Sequence, residues 1–253
     1  VSLLEYKFAN AIQKLQTSQK PNIAFLQGHG ELVPLQMLDF EKTLREFYDT
    51  YYFNLDTLLY LPAAEISALV VAKPRGTFSE NDQFKLDQYV MNGGKILWLI
   101  DRLNVNIDSI NQRQRYVPYA YPLGLENLWF KYGIRIDPSM VLDLECSIIP
   151  LAREGSALGG QPQFEPYPFP YHPVIAPKSK HPTVKSLDRV NLFFPSSIDT
   201  TVRTKTPVKK TVLLASSAKS RKQLTPATLD FSRLRIPPKP GVRGRTCMRG
   251  RPR

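Results

Sequence analysis

Two glycines, a histidine and a glutamate form the segment Gly28-His29-Gly30-Glu31, immediately after a short apolar run. Ligands of open parallel sheets bind where such strands end. The N–H groups of such a turn and of the helix after it can hold an anion. The dinucleotide-binding pattern G-x-G-x-x-G fails here, because Val33 occupies the position of the third glycine. The segment therefore predicts a tight strand-to-helix turn, with a ligand-binding loop as the alternative.

Further polar residues follow later apolar runs of the same predicted sheet. Because the carboxyl ends of parallel strands meet at one edge, we expect Arg75 and Asp101 at the edge that holds His29 and Glu31. The candidate ligand or anion edge consists of Gly28, His29, Gly30, Glu31, Arg75 and Asp101. The alternative is that these residues are only the solvated ends of strands. A histidine with two carboxylates binds metals weakly, and we expect neither a metal nor another cofactor.

Cys146 is the candidate nucleophile for a hydrolytic reaction. That chemistry needs a sharp elbow with small neighbours, and a histidine and an acid later in the chain. Cys146 has no glycine beside it, and both later histidines, His172 and His181, precede prolines that favour an extended backbone. We therefore expect no catalytic residue, and a Cys-dependent hydrolase or amidotransferase-like enzyme is the alternative function.

Aromatic residues alternate with prolines between residues 163 and 173. Such a segment favours extended, polyproline-like geometry and leaves its rings free to dock. It predicts a loop over about 155–182 that is too rich in proline for a helix or strand. The candidate partner-binding residues are Phe164, Tyr167, Phe169, Tyr171 and His172. The alternative is a loop that covers the protein's own sheet.

Hydrophobic periodicity predicts the helices and strands that position these residues. An amphipathic helix is predicted over 2–19, and Ser79 with Asp82 marks the start of another before Gly93-Gly94. Apolar runs predict strands at 22–27, 52–55, 68–72, 95–101, 134–137, 140–143, 190–195 and 211–215, and a further helix is predicted at 122–132. Apolar strands that alternate with amphipathic helices indicate an open, mostly parallel α/β sheet with helices on both faces, of Rossmann or flavodoxin type. We expect the late strands to extend the same sheet.

The predicted domains are a lead-in helix at 1–20, a single α/β domain at 21–236 and a disordered basic tail at 237–253. The net charge of +12 is concentrated at the end, since eight of the 34 basic residues and no acidic residue follow Asp230. The first 230 residues carry a net charge of only +4. No nucleic-acid partner is expected, although a basic nucleic-acid or membrane-surface binder is a second alternative. No apolar run is long enough to span a membrane, and no signal peptide begins the chain.

Four segments together resemble the GldG family, the auxiliary, substrate-binding-like subunits of the gliding-motility-associated ABC transporter of Bacteroidetes. They are residues 22–31, 93–101 and 140–146, and the proline-aromatic segment followed by 191–197. The resemblance covers roughly residues 5–235, and it depends on the order and spacing of the segments rather than on one chemical motif.

The resemblance implies a non-catalytic, extracytoplasmic accessory domain, located in the periplasm. It implies a fold similar to class I glutamine amidotransferase and intraflagellar-transport-related domains. The implied partners are the ABC transporter membrane and ATPase subunits or other envelope proteins. Membrane association would come from flanking helices that this chain lacks.

Overall fold

The computed structural model describes residues 2–16, 19–105, 107, 115–152, 164–204 and 207–230. The chain divides into two compact units. Residues up to Ile100 and Pro122–Leu128 form the first, and Asp101–Tyr121 with the residues from Trp129 onward form the second. The sequence predicts one α/β domain over 21–236. That the two units fold together as this one domain stays a prediction.

The first unit contains a parallel sheet and helices. Its helices are α1 Ser2–Gln16, α2 Pro34–Leu44 and α3 Glu80–Met91, and its strands are β1 Asn22–Gln27, β2 Asp49–Asn54, β3 Ile66–Ala72 and β4 Ile96–Leu99. A 3-10 turn, Leu55–Thr57, follows β2. The strands are all parallel, in the order β2-β1-β3-β4. The predicted α/β class and parallel sheet are confirmed.

Strand β1 lies inside the sheet, between β2 and β3. Four consecutive residues of β1, 23–26, are buried, as expected for a strand covered on both faces. On one face, Met37 of α2 packs against Ile23 and Phe25 of β1 and against Val70 of β3. The ring of Phe25 also stacks on Tyr52, with centroids 5.1 Å apart.

Glu41, a buried carboxylate on α2, attaches that helix to β2. It accepts hydrogen bonds from Arg45 at 2.6 Å, Thr50 at 2.9 Å and the Tyr52 hydroxyl at 2.9 Å. Burial acts to raise the pKa of Glu41, but the bonds from Tyr52, Thr50 and Arg45 outweigh it and lower the pKa. Burial and the Glu41 carboxylate raise the pKa of Tyr52 to about 12.

The second unit is built from short antiparallel sheets. Its strands are β5 Arg115–Tyr116, β6 Arg135–Ile136, β7 Ser139–Asp143, β8 Cys146–Ala152, β9 Phe164–Ile175, β10 Val190–Asn191, β11 Ile198–Asp199, β12 Ser220–Leu224 and β13 Leu229–Asp230. A short helix, α5 Pro182–Lys185, precedes β10, and α4 Glu126–Lys131 lies where the residue ranges of the two units meet in the sequence. Strand β9 pairs with β8 and β10, and the other pairs are β5 with β13, β6 with β11 and β7 with β12.

The late strands do not extend the parallel sheet. The predicted strand at 190–195 is reduced to β10, which pairs antiparallel with Val174 and Ile175 of β9. The predicted strand at 211–215 is absent, since those residues adopt no regular structure. An apolar run is compatible with a strand, but it does not specify a partner, and the partner decides whether a strand forms.

The prediction of a loop at 155–182 is wrong for residues 164–175, which form the strand β9; residues 153–163 lie outside the described residues. Alternate residues of a strand direct their N–H groups to the same edge, so Pro166, Pro168 and Pro170 remove donors from one edge only. Pro166 and Pro168 pair with Pro150 and Ile148 of β8. Among the described residues, β10 pairs with β9 only at residues 174–175, so no strand needs the missing donors.

Phe169 of β9 lies in the core of the second unit. It is 1% exposed and packs in a cluster with Met140 and Leu142 of β7 and with Phe194. The rings of Phe169 and Phe194 meet edge to face, with centroids 5.8 Å apart. The strand thus supplies an aromatic anchor to its own unit.

We predict that Phe169→Ala lowers the free energy of unfolding by about 3–5 kcal/mol, because it removes a fully buried aromatic ring and leaves a cavity. Ile148→Ala is the matched control, since Ile148 lies on the adjacent strand β8 and is 65% exposed. We expect a loss below about 1 kcal/mol for the control. Urea unfolding of both variants measures the difference, and similar losses would contradict a core role for Phe169.

Candidate functional site

The turn after β1 depends on glycine geometry. Gly28 has a φ of +116° and Gly30 a φ of +73°, both in the range that favours glycine. A Cβ at residue 28 would lie 2.7 Å from Oδ1 of Asn54, at the end of β2. That oxygen already accepts the Asp56 N–H at 3.1 Å, so moving it would break a hydrogen bond.

The backbone of His29 joins this turn to the loop between β3 and α3. The His29 carbonyl accepts the Arg75 N–H at 2.9 Å and the Gly76 N–H at 2.6 Å. A Cβ at residue 76 would lie 3.1 Å from the same carbonyl oxygen, so a glycine allows the close approach. Two loops at the carboxyl edge of the sheet are therefore held together through one residue.

The imidazole of His29 lies between two carboxylates. Its Nε2 is 3.3 Å from Oδ2 of Asp82, and its Nδ1 is 3.6 Å from Oε1 of Glu31. The side chains of His29, Glu31 and Asp82 are 10%, 1% and 7% exposed. The ring also stacks on the buried ring of Phe78, with centroids 3.9 Å apart and planes 2° from parallel. The His29 N–H donates to Oε2 of Glu31 at 2.7 Å.

Asp82 has a second role at the beginning of α3. The Ser79 side chain accepts the Asp82 N–H at 3.1 Å, and Asp82 Oδ2 accepts the Ser79 N–H at 3.0 Å and hydroxyl at 2.7 Å. This capping box satisfies N–H groups that have no partner within the helix. The same carboxylate thus caps α3 and contacts His29.

The carboxylates of Glu31 and Asp82 shift the pKa of His29. Burial, the largest effect, acts to lower the pKa of His29, but the hydrogen bonds and charges of Glu31 and Asp82 outweigh it and raise the pKa. Burial likewise acts to raise the pKa of Asp82, and the bonds from Ser79 and His29 lower it. The arrangement favours an imidazolium between two carboxylates.

The predicted ligand edge is assembled in part. The structure brings Gly28, His29, Gly30 and Glu31 together with Arg75, whose backbone takes part while its side chain is exposed. Asp101 is the first residue of the second unit, and its place at this edge stays a prediction. Ligand binding at this edge stays a prediction. Among the described residues, no group of three or more His, Cys, Asp or Glu side chains is placed to hold a metal.

The predicted partner-binding residues lie on β9 rather than in a loop. Phe169 and His172 are buried, and the centroids of their rings are 4.6 Å apart. Tyr171 is partly buried and donates its hydroxyl to Gln223 at 3.1 Å, while Tyr167, also partly buried, donates to Glu165 at 3.3 Å. Only the backbone of Phe164 is described. A partner could reach Tyr167 but not Phe169 or His172 in this conformation, and a partner-binding role for the segment stays a prediction.

The thiol of Cys146 and the imidazole of His172 show no sign of activation. Burial raises the pKa of Cys146, which keeps the thiol protonated. Burial also lowers the pKa of His172 to about 4, so its ring is neutral at physiological pH. Nε2 of His172 is buried without a hydrogen-bond partner among the described residues. A catalytic cysteine needs the opposite shift of its own pKa.

Comparisons with known proteins add a family and a fold. A family model described as an ABC-type uncharacterized transport system matches residues 20–246. No curated protein matches the chain in sequence. The solved structure of the mmIFT52 N-terminal domain is similar, with a TM-score of 0.50 and 13% identity, over 79% of this chain and 74% of that chain. At this identity the likeness shows the fold alone, and it agrees with the expected intraflagellar-transport-related fold.

We predict that Gly28→Ala destabilises the protein more than Gly93→Ala does. Both residues have positive φ values, but a Cβ at residue 93 would meet no atom within 4 Å. Gly93→Ala should therefore cost only backbone strain, about 1–2 kcal/mol. Gly28→Ala should cost about 1–3 kcal/mol more, because its Cβ overlaps the Asn54 side chain. Urea unfolding gives both values, and equal losses would argue against tight packing of the turn on Asn54.

Proposed function

Since this chain belongs to the family of auxiliary components of ABC-type transport systems, we propose that it is a non-catalytic accessory domain that acts by binding another component of such a system. The observation that carries the proposal is the family match over residues 20–246, which covers most of both compact units. An accessory role in a transport system therefore concerns the body of the protein and not one peripheral segment.

The finer proposal is a periplasmic domain linked to gliding motility in Bacteroidetes. It is supported by the resemblance of residues 22–31, 93–101 and 140–146 to the GldG family. Its partners would be the membrane and ATPase subunits of the transporter or other envelope proteins, reached through flanking membrane helices. Within the described residues, no helix has the length and apolar character needed to cross a membrane.

The proposal includes a Rossmann or flavodoxin-like fold for the first unit, similar to class I glutamine amidotransferase-like domains. Its support is the strand order β2-β1-β3-β4, which corresponds to the first four strands of a flavodoxin-like sheet. The antiparallel sheets of the second unit are additions to that pattern.

Neither alternative function has an observation in its favour. A Cys-dependent hydrolase would place its nucleophile on a strand-to-helix elbow, whereas Cys146 begins the strand β8 and burial raises its pKa. A basic nucleic-acid or membrane-surface binder would depend mainly on residues 237–253, which lie outside the described residues.

We predict that Cys146→Ser leaves the transport-linked function unchanged. The substitution removes the thiol nucleophile but keeps a similar side-chain volume, so the fold should be preserved. Complementation of a strain that lacks the protein measures the effect, and equal protein levels of variant and wild type are the control. Loss of complementation at equal levels would support the enzyme alternative.

We also predict that the full-length protein, purified from its native membranes after mild crosslinking, recovers the membrane and ATPase subunits of an ABC transporter. Mass spectrometry identifies the recovered subunits, and an unrelated tagged periplasmic protein is the control. Protease digestion of intact and permeabilised cells tests the location, because a periplasmic domain becomes accessible once the outer membrane is permeabilised. Recovery of the protein without any transporter subunit would contradict the accessory role.

A further inference from the structure

Two buried carboxylates face the two ring nitrogens of one histidine. Asp82 Oδ2 lies 3.3 Å from Nε2 of His29, and Glu31 Oε1 lies 3.6 Å from Nδ1. A neutral imidazole carries one N–H and one lone pair, whereas an imidazolium carries two N–H groups. Only the protonated ring therefore offers a hydrogen to both carboxylates, and the neutral ring must direct a lone pair at one of them.

We propose that His29, Glu31 and Asp82 form a proton-dependent latch that holds the carboxyl edge of the parallel sheet closed and loosens it when the proton is lost. The inference rests on this geometry and is independent of the transport role. The latch joins three segments: the turn after β1, the loop between β3 and α3, and the first turn of α3.

The contacts around His29 show what the latch holds. The His29 carbonyl accepts the N–H groups of Arg75 and Gly76, so the position of His29 fixes the loop between β3 and α3. Asp82 accepts two hydrogen bonds from Ser79, so it is fixed at the beginning of α3. A lone pair that faces a carboxylate in a nearly dry site is repulsive, and moving the His29 turn outward is the simplest relief.

The groups around the His29 ring come from its own turn, from α3 and from the loop between β3 and α3. Glu31 comes from the same turn and Asp82 from α3, while the loop between β3 and α3 contributes the uncharged, stacked ring of Phe78. That loop also carries two charged residues, Lys73, which is partly buried, and Arg75, whose side chain is exposed. Asn54, which borders Gly28 from the end of β2, is uncharged. The two carboxylates together raise the pKa of the ring against the effect of burial.

The direction of the pH dependence follows from these neighbours. Glu31 and Asp82 outweigh burial and raise the pKa of His29 above 6.5. A group with a raised folded-state pKa contributes its full stabilisation below the unfolded value of 6.5. That stabilisation is lost as the pH rises through the folded-state pKa. The latch is therefore closed below pH 6.5 and loosens as the pH rises through the folded-state pKa of His29.

Amide hydrogen exchange between pH 6 and pH 9, divided by the intrinsic exchange rates, tests the latch in the whole chain. Between pH 6.5 and the folded-state pKa of His29, we expect the protection of the Arg75 and Gly76 amides to fall by up to about tenfold per pH unit, and above that pKa we expect it to level off. The Leu69 amide is the internal reference, since it donates to Lys95 O at 2.8 Å inside the same sheet. Its protection should stay well above that of Arg75 and Gly76 at every pH, because its exchange needs a larger opening than release of the latch.

Two variants separate the latch from general unfolding. Glu31→Gln removes one of the two charges that raise the pKa of His29 and introduces an amide that can donate to the lone pair of the neutral ring. The imidazole titration seen by NMR should therefore move to lower pH, and the loss of protection at Arg75 and Gly76 should become smaller. His181→Gln is the control, because His181 is exposed and caps the separate helix α5. It should leave the profile of Arg75 and Gly76 unchanged.

Three results would overturn the proposal. One is a His29 titration that leaves the protection of Arg75 and Gly76 constant. Another is a protection of Arg75 and Gly76 equal to that of Leu69 at every pH, which would indicate that these amides exchange only through global unfolding. The third is a Glu31→Gln profile identical to that of the wild type.

Discussion

A charged side chain that leaves water must find partners inside the protein, and three buried carboxylates meet this constraint by joining separate elements. Glu41 attaches α2 to β2, and Asp82 attaches the first turn of α3 to the His29 turn. In the second unit, Asp143 at the end of β7 accepts the N–H of Ser217 at 2.7 Å and its hydroxyl at 2.5 Å. Apolar burial supplies most of the driving force for folding, but it is not directional. These polar anchors specify which segments meet.

Sequence reasoning predicted the first unit better than the second, and proline explains the clearest error. Continuous apolar runs and the Ser79 cap located β1, β3, β4 and α3, because burial on both faces and helix capping leave local signatures. The prolines predicted a loop where β9 forms, because proline cannot donate a backbone hydrogen bond in a sheet. A strand with one unpaired edge tolerates prolines at alternate positions, and whether an edge is paired depends on residues far away in the sequence.

Part of the site could also be predicted, because local signals in the sequence mark it. His29 and Glu31 are adjacent in the sequence, and their place after an apolar strand indicated the sheet edge. Asp82 was identified only as a helix cap, since nothing in the sequence connects it to a histidine 53 residues earlier. Its one usable signal was its position in the first turn of a helix that follows a sheet strand, where a carboxylate lies at the same edge. Arg75 was predicted to lie at this edge, and its backbone N–H donates there to the His29 carbonyl.

The geometry of this edge also bears on catalysis. A general acid or base must bring its reacting atom within hydrogen-bond reach of a substrate. Both nitrogens of His29 face carboxylates of the protein, one face of its ring is covered by Phe78, and the side chain is only 10% exposed. The edge therefore directs its charges inward, toward holding loops together. A fold of this kind supports many unrelated functions, so the likeness to the mmIFT52 N-terminal domain cannot supply a reaction. These side chains therefore connect the loops of the edge through charges that lie inside the protein.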